Sequence, residues 1–260
     1  MRIIFIGNLK GGVGKTFTAA QFGYLLSQEH KARVLLAEND KQGNLAKMFG
    51  TYNRNGMCPS AQLLMGRGTA EEVRQETKYP GLDIISANMS LLIASTDLQK
   101  DETAEQIRRY ESLKYARDKE GRPYDFVIID NPPDIGLHVI NALAVANDVI
   151  VPIKIDQSSL EGMEIMTEQI EQMKVINPDI NFRGALVTMY KNNYTNAAGI
   201  EWLQKRGVKL FDTYIRYSDK AAESTIFEKP IQEYSPRSGT ARSYKQFVQE
   251  YITKVKVEVN

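Results

Sequence analysis

The residues best equipped for chemistry lie near the start of the chain. Residues 8–16 read Asn-Leu-Lys-Gly-Gly-Val-Gly-Lys-Thr and follow the apolar run Ile3-Ile4-Phe5-Ile6. Gly11, Gly12 and Gly14 let successive backbone N–H groups turn towards one point without a Cβ clash. The positive end of a following helix strengthens that field, so a chain of phosphates is the ligand such a loop suits. Lys15 would neutralise the outer phosphates, and the Thr16 hydroxyl would ligate Mg²⁺. The candidate nucleotide-binding set is Gly11, Gly12, Val13, Gly14, Lys15, Thr16 and Phe17. The pattern G-x-x-x-x-G-K-[ST] fails at one position. Leu9 stands where its first glycine belongs, and an additional lysine, Lys10, precedes the glycines.

Two acidic stations accompany the loop. Phe126-Val127-Ile128-Ile129 is an apolar run that ends in Asp130. A carboxylate at the C-terminal end of such a strand is placed beside the phosphate loop, where it can hold Mg²⁺ through water. The second station, Glu38-Asn39-Asp40-Lys41-Gln42-Gly43-Asn44, follows the apolar run that ends at Ala37.

These stations need strands to carry them. Short, nearly continuous apolar runs at Ile3–Ile6, Arg33–Ala37, Leu82–Ser86, Phe126–Ile129, Val149–Ile153, Ala185–Thr188 and Lys209–Ile215 predict strands buried on both faces of a parallel sheet. Helices are expected from Thr16 to about Gln28, Leu91 to Ala116, Ser158 to Ile176 and Gly239 to Ile252. In the third, Leu160, Met163, Met166, Ile170 and Met173 form a core-facing stripe behind a capping box at Ser158–Glu161. Residues 50–59 read as a surface loop. The alternation predicts an α/β fold with a doubly wound, mostly parallel sheet flanked by helices, of the P-loop NTPase type, in one domain over residues 1–260.

Composition removes other classes. The single cysteine, Cys58, rules out an intramolecular disulfide and a cysteine cage, and only His30 and His138 could serve a catalytic thiol. The chain shows neither a secretory leader nor an ~18-residue apolar span, so a cytoplasmic location is expected. Net charge is +1, yet residues 181–260 hold 13 Lys/Arg against 8 Asp/Glu, which permits a basic face there.

Taken together, Lys-Gly-Gly-x-Gly-Lys-Thr resembles the deviant P-loop of the ParA/MinD family of ATPases. Ile128-Ile129-Asp130-Asn131-Pro132-Pro133 is similar to the family's I-I-D-x-P-P, with Asn131 in place of a small residue. Asp40, Gln42, Gly43 and Asn44 match its D-x-D-P-Q-G-N run, whereas Glu38 stands for the first Asp and Lys41 for Pro. Ser159-Leu160-Glu161-Gly162, Leu186-Val187-Thr188-Met189-Tyr190 and Ile215-Arg216-Tyr217-Ser218 continue the likeness to about Tyr244. The resemblance implies ATP and Mg²⁺ as cofactors, with catalytic roles for Lys10, Lys15 and Asp40 and metal-holding roles for Thr16 and Asp130. By the same resemblance Lys10 joins the nucleotide-binding set by reaching the nucleotide of a second subunit, Asp40 positions the attacking water, and Met189 lies near the adenine.

The likeness is strongest to ParA/Soj partition ATPases. It implies an ATP-dependent homodimer, non-specific DNA as a partner and a ParB-like activator of slow hydrolysis. Lys191, Lys220, Arg237, Arg242 and Lys245 are the candidate DNA contacts. With no helix-turn-helix ahead of the first strand, operator reading is not expected. The alternative is a MinD-like ATPase that positions itself on membranes or protein clusters. The Lys/Val alternation of the end, residues 251–260, reads as a short strand or tail instead of an interfacial helix, so no stable membrane anchor is expected. A redox iron protein would need two cysteines per subunit. An amide ligase of the cobyrinic acid synthase kind would need a nucleophile or glutaminase motif, and neither is legible.

Overall fold

The computed structural model describes residues 1–258, except the side chains of 104, 157–162, 164 and 256–258. Seven strands form one sheet: β1 (Arg2–Ile6), β2 (Val34–Glu38), β3 (Gln75–Glu76), β4 (Leu82–Ile85), β5 (Phe126–Asp130), β6 (Asp148–Lys154) and β7 (Asn181–Thr188). Their spatial order is β3-β4-β2-β5-β1-β6-β7. Every neighbouring pair is parallel except β3–β4.

The apolar runs explain the two-sided burial. Ile3, Phe5, Leu35, Val127, Ile129, Val149 and Val151 point to one face. The alternate residues Ile4, Ile6, Val34, Leu36, Ile128 and Ile150 point to the other. Helices cover both: α1 (Lys15–Gln28), α2 (Asn44–Met48), α3 (Pro59–Leu64), α4 (Ala70–Val73), α5 (Ser90–Leu98), α6 (Leu137–Val145), α7 (Gln157–Met173), α8 (Tyr194–Lys205), α9 (Asp219–Ile226), α10 (Ile231–Tyr234) and α11 (Gly239–Glu258). Met163, Met166, Ile170 and Met173 on α7 are buried as expected, while the capping box at Ser158–Glu161 lies outside the described side chains. The arrangement is the doubly wound, mostly parallel sheet anticipated above.

Three expected elements differ. Lys209–Ile215 is no regular strand. It runs beside β7 through isolated parallel bridges, Ala185 with Leu210 and Tyr190 with Arg216. The ladder breaks because the Asp212 and Thr213 N–H groups donate instead to the Glu250 carboxylate, at 2.8 and 2.9 Å. The helix expected over 91–116 stops at Leu98 and gives way to 3₁₀ turns at Ala104–Ile107 and Glu111–Tyr115. There the Asp101 carboxylate accepts from the Thr103 N–H and hydroxyl, and this local bonding competes with the helical ladder.

The C-terminal segment departs from expectation in the opposite sense. Residues 254–258 are neither strand nor tail but the last turn and a half of α11. Tyr244, Phe247, Val248 and Tyr251 recur at helical spacing and bury one face against the sheet. Phe22 of α1 meets Phe247 and Tyr251 at ring-centroid distances of 5.2 and 5.0 Å. Among the described residues no helix is long and apolar enough to cross a membrane.

Candidate functional site

The phosphate loop joins β1 to α1. Gly12 and Gly14 take left-handed backbone angles, φ 72° and 83°, which side-chain-bearing residues rarely adopt. Gly14 is the N-cap of α1 and supplies no side-chain acceptor, so the first N–H groups of the helix remain directed at the loop's mouth. Two buried polar side chains stake the loop to the sheet. Asn8 donates to the Pro152 carbonyl at 2.8 Å and accepts from the Lys10 N–H at 2.9 Å. The Thr188 hydroxyl donates to the carbonyls of Val13 and Ile153 at 2.8 and 3.0 Å.

The two loop lysines are placed differently. Lys15 is buried and its Nζ donates to the Lys10 carbonyl at 2.8 Å. Burial pushes its pKa down, while Asp130, Asp40 and Asp134 pull it up. Lys10 lies on the outer side, half-buried, and its ammonium pairs with Asp156 just beyond β6.

Asp130 ends β5 in register with Ile6 of β1 and Glu38 of β2. It is fully buried, and neither carboxylate oxygen has a hydrogen-bond partner of good geometry. Burial raises its pKa to about 7; the Thr16 hydroxyl and Lys15 oppose that shift, and Asp40 adds to it. An enclosed carboxylate of this kind, with a threonine hydroxyl next to it, fits a hard divalent cation. Among the described residues no three His, Cys, Asp or Glu side chains gather into an all-protein cage. That suits Mg²⁺, which is held by one or two protein oxygens together with phosphates and water.

The other acidic station divides its work. Glu38 is buried and accepts from the N–H groups of Leu45 (2.6 Å), Ala46 (3.2 Å) and Ala87 (3.0 Å). Burial nevertheless raises its pKa to about 8. It staples the N-terminus of α2 to the end of β2. Asp40 stays half-buried in the loop between them and accepts from the Gln42 N–H at 3.0 Å. Gly43 turns that loop at φ 66°, where a Cβ would lie 2.8 Å from the Ala87 carbonyl oxygen.

A cleft of about 230 Å³ opens beside Gly14 and is lined by Phe17, Met189, Tyr217, Thr225 and Tyr244 among others. The structure thus brings Phe17 and Met189, both singled out from the sequence, to one wall. Met189 holds a left-handed φ of 52° at the end of β7. Sequence reading missed Tyr244, whose aromatic ring on α11 carries no local signal. It also missed Asn8 and Asp156, whose links to Pro152 and Lys10 span more than 140 positions.

The five candidate DNA contacts, Lys191, Lys220, Arg237, Arg242 and Lys245, are all exposed. Lys191 sits 4.3 Å from the Tyr217 ring centroid, Lys220 pairs with Glu223, and Lys245 pairs with Glu29. Arg242 projects one turn into α11, whose first residue, Gly239, lies against the Arg216 side chain.

The fold and this loop define a P-loop NTPase with the deviant, two-lysine phosphate loop. Comparison with known proteins narrows the class. Residues 1–182 match a family model described as an AAA domain. The chain is 30% identical to the chromosome partitioning protein ParA of Caulobacter vibrioides, across 98% of this chain and 95% of that protein. It is 32% identical to the chromosome-partitioning ATPase Soj of Thermus thermophilus, across 98% and 97%. Among solved structures, cobyrinic acid a,c-diamide synthase from Mycobacterium smegmatis, bound to an ATP analogue and magnesium, superposes with a TM-score of 0.81. That match has 27% identity and covers 98% of this chain and 96% of the other. The chain belongs to the ParA/Soj family of partition ATPases.

Proposed function

We propose that this chain is an ATP-driven dimerising switch that partitions DNA, holding non-specific DNA as the ATP dimer and letting go after hydrolysis. The observation that carries the reading is the convergence of the glycine loop, Lys15, Thr16, Asp130 and Asp40 on the C-terminal ends of β1, β2 and β5. Loop N–H groups and Lys15 bind the β- and γ-phosphates, and Phe17, Met189 and Tyr244 enclose the adenine. Thr16 and Asp130 would hold Mg²⁺, which supplies charge neutralisation between those phosphates. Asp40 orients a water in line with the γ-phosphorus. Attack breaks the bond to the bridging oxygen and yields ADP and phosphate.

Lys10 acts across the dimer. For this it leaves Asp156 and approaches the nucleotide of the second subunit, where its charge stabilises the transition state as an arginine finger does. Turnover is slow until a ParB-like activator engages. Exposed Lys220, Arg237 and Arg242 supply phosphate contacts on the DNA side. A cytoplasmic, nucleoid-associated location follows from that reading. The membrane form of the MinD-like alternative draws no support from Tyr244, Phe247, Val248 and Tyr251 of α11, which pack into the core.

A mobility-shift assay on random duplex DNA with ATP, ADP or no nucleotide tests the function. A shift with ATP alone is expected. If ATP produces no shift at low salt, DNA is not the surface this switch rides on, and flotation with anionic vesicles would then test the membrane alternative.

A further inference from the structure

Two asparagines adjoin the two acids of the site, Asp40 and Asp130. Asn39 stands between Glu38 and Asp40, and Asn131 follows Asp130. Both are buried, although they occupy loop positions just beyond strand ends. Their amides meet: Asn39 Nδ2 donates to Asn131 Oδ1 at 2.8 Å. Every remaining amide group is also used. Asn39 Nδ2 donates to the His138 carbonyl at 3.0 Å, and Asn39 Oδ1 accepts from the Tyr110 hydroxyl at 2.7 Å. Asn131 Nδ2 donates to the carbonyls of Ile6 and Ile129 at 3.1 and 3.0 Å. Backbone bonds run in parallel, from Asn39 N–H to the Asp130 carbonyl and from Asn131 N–H to the Ile6 carbonyl.

This network joins three strand ends. Ile6 leads into the phosphate loop, Asn39 into Asp40, and Asn131 carries on from Asp130. A buried amide with all its donors and acceptors matched has one orientation and resists displacement, because any slip strands a polar group away from water. A small residue at position 131 could not make the link. We propose that Asn39 and Asn131 are positioning residues which lock the water-orienting acid, the metal-holding acid and the phosphate loop in one register. They act on turnover and leave nucleotide affinity alone. The proposal rests on the hydrolytic reading given above.

The test uses the full chain carrying Asn39→Leu, Asn131→Leu, both together, or Tyr110→Phe. The readouts are kcat and KM for ATP at saturating Mg²⁺, the Kd of a fluorescent ATP analogue, and Tm. Each single leucine variant is expected to lower kcat by about 10- to 100-fold, the scale of a small misplacement of reacting groups. Kd and KM should stay within about threefold of the unaltered chain. The double variant should fall little below either single, since both remove one shared bond. Tyr110→Phe, which deletes one hydroxyl at the end of the network, should lower kcat by roughly two- to fivefold at unchanged Kd. Unchanged kcat in a folded leucine variant overturns the proposal, as does a parallel loss of kcat and affinity. If the leucine variants do not fold, unchanged kcat in Tyr110→Phe overturns it. Asp40→Ala and Asp130→Ala are run alongside. Turnover that survives in both sinks the hydrolytic reading itself, whereas turnover lost in both but kept in the asparagine variants sinks only the positioning role.

Discussion

At the scale of single residues, the proposed function gives the two loop lysines different tasks, binding for Lys15 and assembly for Lys10. Lys15 is buried at the base of the loop, while Lys10 faces outward on Asp156. Lys15→Ala should abolish binding of a fluorescent ATP analogue, because it removes the charge buried at the base of the loop. Lys10→Ala should retain that binding within a few-fold yet lose turnover by about 10³-fold, the lower range for a lost finger. Equal loss of nucleotide affinity in both variants would contradict this division, as isothermal calorimetry can reveal. Both lysines were legible in the sequence because glycine spacing and a preceding strand are local signals. The job of Glu38 was not. Its replacement of an aspartate reads as a departure, but its bonds to Leu45, Ala46 and Ala87 depend on a side chain long enough to reach the start of α2.

At the scale of elements, α11 is held by a buried charge cluster remote from the nucleotide. Asp148 at the start of β6 is fully buried and accepts from Arg2, Arg183 and Tyr251, each at 2.5 Å. Burial pushes its carboxyl up, but those hydrogen bonds and the Arg183 charge outweigh it and hold the pKa below the ordinary value. A carboxyl depressed on folding adds stability above its unfolded pKa and loses it as pH falls through the folded one. Thermal melts should therefore show stability declining below about pH 4, with a shallower decline in Asp148→Asn. At neutral pH that variant should be destabilised by about 1–3 kcal/mol, since the charge-assisted hydrogen bonds from Arg2 and the buried Arg183 are weakened. A Tm within 1–2 °C of the unaltered chain, roughly the reach of a few tenths of a kcal/mol, would show that the cluster does not hold α11. The strands that carry the site were readable because burial on both faces makes them continuous apolar runs. Of the elements misread, 91–116 is broken by the local Asp101–Thr103 bonds, whereas 209–215 and the end of α11 are decided by distant partners. Glu250 captures two N–H groups of an edge segment, and Tyr251 finds Asp148 across 103 positions.

At the scale of the whole molecule, charge and assembly decide the function. If Lys220, Arg237 and Arg242 each touch one phosphate, alanine at any of them should weaken DNA retention in ATP and reduce the slope of log affinity against log salt by about 1. A salt slope unchanged in the triple variant would move the DNA face elsewhere on the molecule. The family was legible along most of the chain, because its motifs are short, contiguous runs in a fixed order; the DNA face was not, because scattered surface cations carry no spacing. The central claim is that ATP gates a dimer through Lys10. Light scattering on Asp40→Ala, which should bind ATP without consuming it, tests this most directly. The account predicts that the mass doubles with ATP and Mg²⁺, stays monomeric with ADP, and stays monomeric with ATP once Lys10→Ala is added. A monomeric mass in saturating ATP, with the nucleotide shown to be bound, would contradict it.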